Sequence, residues 1–163
     1  MRKTPDAFNS AVRLLSYRQR GTKELIGRLK KNGFADEDIE SAVSRLSLSG
    51  YLNDEAYARE LRRLRLKNKN WGSIKIIREL YAKGIPADVV EGIKKEFSGA
   101  WMDEEMEAAK AALVKWLKKK GLKKPLGRQD SLKAYAFLKS RGFPDAVLSV
   151  ALGGIDEDEQ YCL

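Results

Sequence analysis

The chain has 163 residues, a formal net charge of +9 and 43% hydrophobic residues, which is enough for a buried core and argues against global disorder. It has no histidine and one cysteine, Cys162, so we exclude Ser-His-Asp and Cys-His catalysis, histidine-ligated metals, thiolate clusters and an intrachain disulfide. No apolar run approaches the ~18 residues of a membrane span and the first residues form no signal-like stretch, so we expect a cytoplasmic protein without metal or cofactor.

Three helices are predicted in the first third of the chain. The first opens with Thr4 as its N-cap and Pro5 in its first turn. The second has Thr22 as its N-cap and ends at Gly33, and the third begins at Asp36. Apolar residues at helical spacing give each helix a buried face: Phe8, Ala11, Val12 and Leu15; Leu25, Ile26 and Leu29; Ile39, Ala42, Val43 and Leu46.

The second third repeats this order. A leading helix opens at Asn53, followed by two acids that suit the positive end of the helix dipole. The next helix has Ser73 as its N-cap and ends at Gly84, and the last has Pro86 in its first turn. The residues predicted to be buried are Tyr57, Leu61 and Leu64; Ile77, Leu80 and Tyr81; Val90, Ile93 and Phe97.

The last third follows the same order with one longer linker, residues 121–127. Its leading helix opens at Asp103 with two further acids, its second helix has Ser131 as N-cap and ends at Gly142, and Pro144 lies in the first turn of the third. The predicted buried residues are Met106, Ala109, Leu113 and Trp116, then Leu148, Ala151 and Leu152.

One short motif marks the repeat. Leucine, three mostly polar residues, glycine and a large apolar residue occur together around Gly33, Gly84 and Gly142, about 50 to 60 residues apart. No segment alternates as a strand would. We therefore predict an all-α fold of three tandem three-helix repeats stacked into an elongated, curved array. The predicted segments are the repeats 1–52, 53–100 and 101–155 and an acidic, solubilising tail, 156–163.

Four segments, in their order and spacing, closely resemble the RecX family of bacterial recombination regulators. They are Leu15-Ser16-Tyr17-Arg18, Thr22-Lys23-Glu24-Leu25, Gly50-Tyr51-Leu52-Asn53-Asp54-Glu55 and Trp71-Gly72-Ser73-Ile74. The resemblance covers about residues 7–152, and the third repeat matches more weakly, by its helix pattern and Arg141-Gly142-Phe143.

The resemblance implies a regulator without catalytic activity. Family members bind the filament that the RecA recombinase forms on single-stranded DNA, and they modulate, usually by inhibition, its ATPase, strand-exchange and co-protease activities. Such a protein would regulate DNA repair and the SOS response. DNA binding has been attributed to some members, and we expect this chain to be a monomer with no membrane contact.

The segment from Gly50 to Glu55 is distinctive, and its residue types favour a structural role. Gly50 can end one helix, Leu52 can anchor the turn in the core, and Asn53 can cap the next helix. A catalytic pair of Asp54 and Glu55 is disfavoured, because neighbouring side chains at a helix start diverge and the chain offers no complementary base.

Two further patterns have a structural and a functional interpretation. Trp71 can pack beside Gly72 or stack on a nucleic-acid base. The helix-glycine-helix segments are similar to helix-turn-helix units, but Asp36, Glu37 and Asp38 begin the second helix of the first repeat and would repel phosphate. This argues against repeats that each bind an operator independently.

The positive charge is spread along the chain, which favours an extended polyanionic partner. A helical wheel places Arg59, Arg62 and Arg63 opposite the apolar face of the second leading helix, and lysines take equivalent positions in the third. We predict one basic stripe for binding the partner or DNA; an ordinary solvated face is the alternative. Its residues are Arg59, Arg62, Arg63, Lys67, Lys69, Lys115, Lys118, Lys119, Lys123 and Lys124.

The sequence therefore predicts a non-enzymatic regulator of the RecA filament, with two alternatives. A general single- or double-stranded DNA-binding protein of helix-turn-helix-like repeats would bind DNA without RecA and show a steep salt dependence. A small enzyme using Asp, Glu, Lys or Tyr would need a deep pocket with convergent polar groups.

Overall fold

The computed structural model describes residues 6–97, 99 and 101–153. Within these residues it contains nine α-helices and no strand, which confirms the all-α class and the succession of helices in threes. Helix α4 continues directly into a π-helical turn, Arg65–Lys69, here called the π segment. The helices are α1 Ala7–Tyr17, α2 Thr22–Lys31, α3 Asp36–Leu48, α4 Asp54–Leu64, α5 Ser73–Ala82, α6 Ala87–Phe97, α7 Met102–Lys120, α8 Arg128–Ser140 and α9 Asp145–Leu152. None of these helices is both long and apolar enough to cross a membrane.

The helices form two compact units. The first contains the residues up to Leu61 together with Glu79–Ile93, and the second contains Arg62–Arg78 together with the residues from Lys94 onwards. In the first unit α1, α2 and α3 pack against one another; in the second α7, α8 and α9 do so, and the π segment packs on α7. Helices α4, α5 and α6 contribute to both units. The repeat boundaries predicted from sequence fall between helices and stay a prediction.

The repeated leucine-glycine motif closes three helices in the same way, as predicted. Gly33, Gly84 and Gly142 have φ of 85°, 73° and 85°, the left-handed region that glycine adopts without the steric cost of a Cβ. The N–H of the apolar residue after each glycine donates to the carbonyl of the motif leucine, the long bond of a Schellman motif. The distances are 3.3 Å from Phe34 to Leu29, 3.1 Å from Ile85 to Leu80 and 3.4 Å from Phe143 to Leu138.

The N-caps predicted from the hydroxyl residues are wrong. Thr22 and Ser73 are the first residues inside α2 and α5, and Ser131 lies within α8. Gly21 and Gly127 occupy the cap positions of α2 and α8, and glycine has no side chain with which to cap. The first N–H groups of these helices therefore need other acceptors.

Carboxylates from later in the chain supply two of these acceptors. The N–H of Thr22 donates to Asp54 Oδ1 at 2.8 Å, and the N–H of Ser73 donates to Glu105 Oε1 at 2.6 Å. Both acceptors lie 32 residues beyond their donor, at the start of the next leading helix. Each carboxylate thus links a helix to the leading helix that comes next in the chain. It accepts from a backbone N–H at a helix N-terminus that would otherwise lack a partner, a position that favours negative charge.

The remaining helix starts differ from the predictions by small shifts. Helix α1 is capped by Asp6, whose Oδ1 accepts from the N–H of Asn9 at 2.6 Å, whereas Thr4 and Pro5 lie outside the described residues. Pro144 is the N-cap of α9 rather than a first-turn residue, and the residue before α6 is likewise a proline. The predicted cap of α4 is confirmed, because Asn53 Oδ1 accepts from the N–H of Ala56 at 2.9 Å.

Most predicted core residues are buried or half-buried, with two exceptions. Val12 is 43% exposed, because the buried face of α1 is centred on Ala7 and Ala11. Tyr81 is 44% exposed, because Ile76 and Leu80 one turn apart define the buried face of α5. The core around α1, α2 and α3 is formed by Ala11, Leu25, Leu29, Ile39, Leu46 and Leu52.

Candidate partner-binding surface

The arginines of α4 do not form one outward face. Arg62 is buried, with 5% of its surface exposed, so its predicted outward position is wrong. It follows the fully buried Ala58 by one helical turn and therefore lies on the same inward face. Its guanidinium lies 3.8 Å from the centre of the Trp101 ring and 2.6 Å from the carboxylate of Glu104. Arg62 thus stabilises the interior of the second unit by a cation–π contact and an ion pair.

Arg59 and Arg63 are exposed, but acids lie close to both. Arg59 pairs with Glu55 one turn earlier, at 2.6 Å. Arg63 and Lys67 line a groove of about 510 Å³, and the opposite wall carries acids from the first half of α7. Those acids are Asp103, Glu104 and Glu107. The positive potential of α4 is therefore reduced where the helix faces α7.

The second half of α7 carries the densest positive charge among the predicted site residues. Lys115, Lys118 and Lys119 are exposed on its last turns, and Lys123 and Lys124 follow the left-handed C-cap, Gly121. These five residues are called the lysine surface below. None of their amines pairs with a carboxylate within the described part of the chain. Cations also suit the last turn of a helix, where carbonyl groups lack partners.

The lysine surface connects with one other predicted segment. Lys115 Nζ donates to Asn70 Oδ1 at 2.8 Å, and Asn70 is the left-handed residue, with φ 49°, that ends the π segment. This hydrogen bond holds Asn70 beside α7, and the exposed Lys69 immediately precedes Asn70. The structure thus brings the end of the π segment to the lysine surface, while acids occupy the first half of α7. A single basic stripe that binds the partner stays a prediction.

Trp71 is half-buried and already has cationic neighbours. Lys75 Nζ lies 4.5 Å from the centre of its ring and Arg65 Cζ lies 5.5 Å from it. A Cβ on the adjacent Gly72 would lie 2.4 Å from the carbonyl oxygen of Gly142, so this segment packs backbone to backbone. These contacts agree with the packing interpretation, and stacking on a base stays a prediction.

The segment from Gly50 to Glu55 has the structural roles predicted for it. Gly50 has φ 72° and Leu52 is 4% exposed, within the first core. The carboxylate of Asp54 accepts from a backbone N–H of α2, and that of Glu55 pairs along its own helix. The two carboxylates point to different partners, as predicted for adjacent residues at a helix start.

The first unit contains an apolar groove of about 620 Å³. Its main lining residues are Phe8, Val12, Leu15, Leu46, Tyr51 and Tyr57. Arg20, at its polar edge, donates to the carbonyl of Leu14 and to Glu24. Burial alone would raise the pKa of Glu24, but hydrogen bonds from Arg18 and Arg20 outweigh burial and lower it. Among the described residues no cluster of acidic, histidine or cysteine side chains could hold a metal ion.

Comparison with known families and proteins gives consistent matches. Residues 7–46 match the family model described as "RecX, first three-helix domain", and residues 53–92 match "RecX, second three-helix domain". A "Regulatory protein RecX" of Pelodictyon phaeoclathratiforme is 30% identical over 95% of this chain and 95% of its own length. One of Bacillus velezensis is 36% identical over 90% of this chain, which spans only 54% of that longer relative.

Solved structures support the same fold. The crystal structure of RecX from Lactobacillus salivarius superposes with a TM-score of 0.77 and covers 90% of this chain and 92% of that one. A second crystal structure of a regulatory protein RecX gives a TM-score of 0.74. At 20% and 22% identity, these likenesses show the fold alone.

Proposed function

This chain belongs to the RecX family of regulatory proteins, and we propose that it regulates DNA repair by binding and inhibiting the RecA filament on single-stranded DNA. It acts as a cytoplasmic, non-enzymatic monomer. The observation that carries this proposal is the family match over nearly the whole length of a RecX relative. Inhibition would cover the ATPase, recombinase and co-protease activities, because all three depend on the same filament.

The lysine surface is the proposed contact. A RecA filament on DNA presents phosphates and acidic side chains over a long distance, and exposed amines without carboxylate partners attract such a polyanion. Lys118 and Lys119 have this character. Lys69, at the end of the π segment, extends the contact. Arg62 is not part of it, because it is buried.

Inhibition then follows from occupancy rather than from chemistry. A bound helical protein blocks the movements or the partners that the filament needs, and it does so without cleaving a bond. Electrostatic attraction gives such binding a strong dependence on salt, since each phosphate contact releases counterions.

A charge-reversed pair of lysines tests the contact. Lys118→Glu with Lys119→Glu should weaken binding to the RecA filament at least tenfold at moderate salt, about 1.4 kcal/mol, because attraction is replaced by repulsion. The side chains are exposed, so folding should be nearly unaffected. Fluorescence anisotropy of RecA filaments on labelled single-stranded DNA gives the affinity.

Lys30→Glu with Lys31→Glu is the control for net charge. These residues are also exposed, on α2, and the net charge changes by the same amount. Because Lys30 pairs with Asp36 at 2.8 Å, urea unfolding is used to verify that the control variant is folded. The control should retain wild-type affinity within about twofold. Equal losses in both variants would show that binding depends on net charge alone and not on the lysine surface.

General DNA binding is the second candidate, and the lysine surface is the observation that favours it. Under that alternative, naked single- or double-stranded DNA would bind as tightly as the RecA filament, with the same salt dependence. Binding to naked DNA measured beside filament binding separates the two functions.

A further inference from the structure

The last helix of the described chain ends beside the lysine surface. Helix α9 packs on α7, and Lys124 Nζ donates to the carbonyl of Ala151 in the last turn of α9 at 3.3 Å. Gly153 then ends α9 in the left-handed conformation, with φ 90°. Helix α9 therefore ends beside Lys124 of the lysine surface.

The residues that follow carry the opposite charge. Asp156, Glu157, Asp158 and Glu159 are four consecutive acids in a chain with a net charge of +9. An extended chain covers at most ~3.6 Å per residue, so these acids can reach about 10 to 20 Å from Gly153. Lys124 contacts Ala151, two residues before Gly153. The acidic segment is therefore long enough to reach the part of the lysine surface around Lys124.

We propose that the acidic segment 156–159 binds the lysine surface of the same molecule and so competes with its polyanionic partner. The lysine surface matches the acids better than α4 does, because the acids in the first half of α7 and the ion pair of Arg59 reduce the positive potential of α4. The effect on the partner rests on the function proposed for the lysine surface. The intramolecular contact itself does not.

The competition makes the surface selective. A tethered segment acts at an effective concentration in the millimolar range, so weak or sparsely charged polyanions do not displace it. A dense array of phosphates displaces the acidic segment, because it offers many charges at once. The acids thus lower the affinity for every polyanion and suppress binding where few phosphates are available.

The first experiment observes the contact without any partner. Amide shifts of residues 115–124 are compared by NMR between the wild type and Asp156→Asn, Glu157→Gln, Asp158→Asn, Glu159→Gln. We expect shift changes on the lysine surface that are independent of protein concentration and shrink at high salt. Unchanged shifts would refute the contact, and changes that grow with concentration would assign it to a second copy and overturn the intramolecular proposal.

The second experiment measures the competition with a labelled 30-nucleotide oligo-dT. The neutralised tail should increase affinity at least fivefold at low salt, and the gain should disappear when Lys118→Glu and Lys119→Glu are also present. Neutralising four acids elsewhere is the matched control: Glu37→Gln, Asp38→Asn, Glu40→Gln and Asp88→Asn. An equal gain in the control would overturn the competition.

The NMR experiment and a measurement of RecA ATP hydrolysis together separate the possible failures. NMR changes together with normal, unaltered RecA activity would support the tail contact and contradict the function proposed for the surface. Unchanged NMR shifts together with inhibition of RecA that depends on Lys118 would support that function and refute the tail contact.

Discussion

Two features favour glycine at position 142, a positive φ and the close approach of another backbone segment. At Gly33 only the positive φ does so. Both have φ of 85°, which disfavours any side chain. A Cβ at Gly33 would meet open space, but at Gly142 it would lie 2.5 Å from the backbone nitrogen of Lys75. We expect Gly33→Ala to lower the free energy of unfolding by about 1 kcal/mol, for the backbone conformation alone. Gly142→Ala should lower the free energy of unfolding, measured in urea, by clearly more. Equal losses for the two variants would show that the backbone of Lys75 moves away from the added Cβ without a loss of stability.

The carboxylate of Glu105 caps a helix that starts 32 residues earlier. Glu105→Ala removes the acceptor of the Ser73 N–H and should destabilise the protein by about 1 to 2 kcal/mol, as the loss of an N-cap does. Glu107→Ala, on the same helix but with its carboxylate paired to the exposed Lys110, is the control and should change stability by less than about 0.5 kcal/mol. Indistinguishable urea midpoints for the two variants would contradict the capping role.

Stability should also depend on the ionisation of Glu105. Burial raises its pKa above the ordinary value of 4.5, and the hydrogen bonds from Ser73 offset this only in part. The folded state therefore binds the proton more tightly, so this group's contribution to stability falls as the pH rises from about 4.5 through the raised pKa. Relative to Glu105→Gln, the wild type should lose stability between pH 4 and pH 7 in urea titrations. A relative gain over that range would contradict the raised pKa.

At the scale of elements, the apolar spacing and the leucine-glycine motif predicted the helices well, because both act within one or two turns. The capping carboxylates of Asp54 and Glu105 could not be predicted this way. Their partners lie in another helix group, and only packing brings them together. Their regular placement at the start of successive leading helices is the signal that could have identified them.

The position of Arg62 shows a second limit of sequence patterns. A helical wheel assigns charged residues to solvent, but the aromatic ring of Trp101 and the carboxylate of Glu104 make an interior position favourable for this guanidinium. Neither partner is on the same helix. The exposed lysines of α7 were placed correctly, because the apolar residues around them define its buried face.

The two basic elements should contribute unequally to binding. Arg59→Glu with Arg63→Glu changes the net charge as much as the lysine pair does, but it reverses residues that already have acidic neighbours. We expect it to weaken filament binding by less than about threefold, against at least tenfold for Lys118→Glu with Lys119→Glu. Anisotropy at moderate salt gives both values. A larger loss for the arginine pair would move the contact to α4.

At the scale of the whole molecule, the repeat could be predicted and the compact units could not. The motif recurs in sequence, whereas the division of α4, α5 and α6 between two units depends on which side chains meet across distant segments. The proposed function follows from the resemblance to a family, and the family is confirmed by matches to its first two domains. Composition and spacing alone indicated only a basic helical protein with a polyanionic partner.

ATP hydrolysis by RecA on single-stranded DNA, titrated with this protein at two salt concentrations, tests the central claim most directly. We predict a saturable decrease in hydrolysis, half-complete at a higher protein concentration in the higher salt, because screening weakens the lysine contacts. Lys118→Glu with Lys119→Glu should need at least tenfold more protein for the same decrease, while Lys30→Glu with Lys31→Glu should match the wild type. Hydrolysis that stays unchanged at saturating concentrations of folded protein would contradict regulation of the RecA filament.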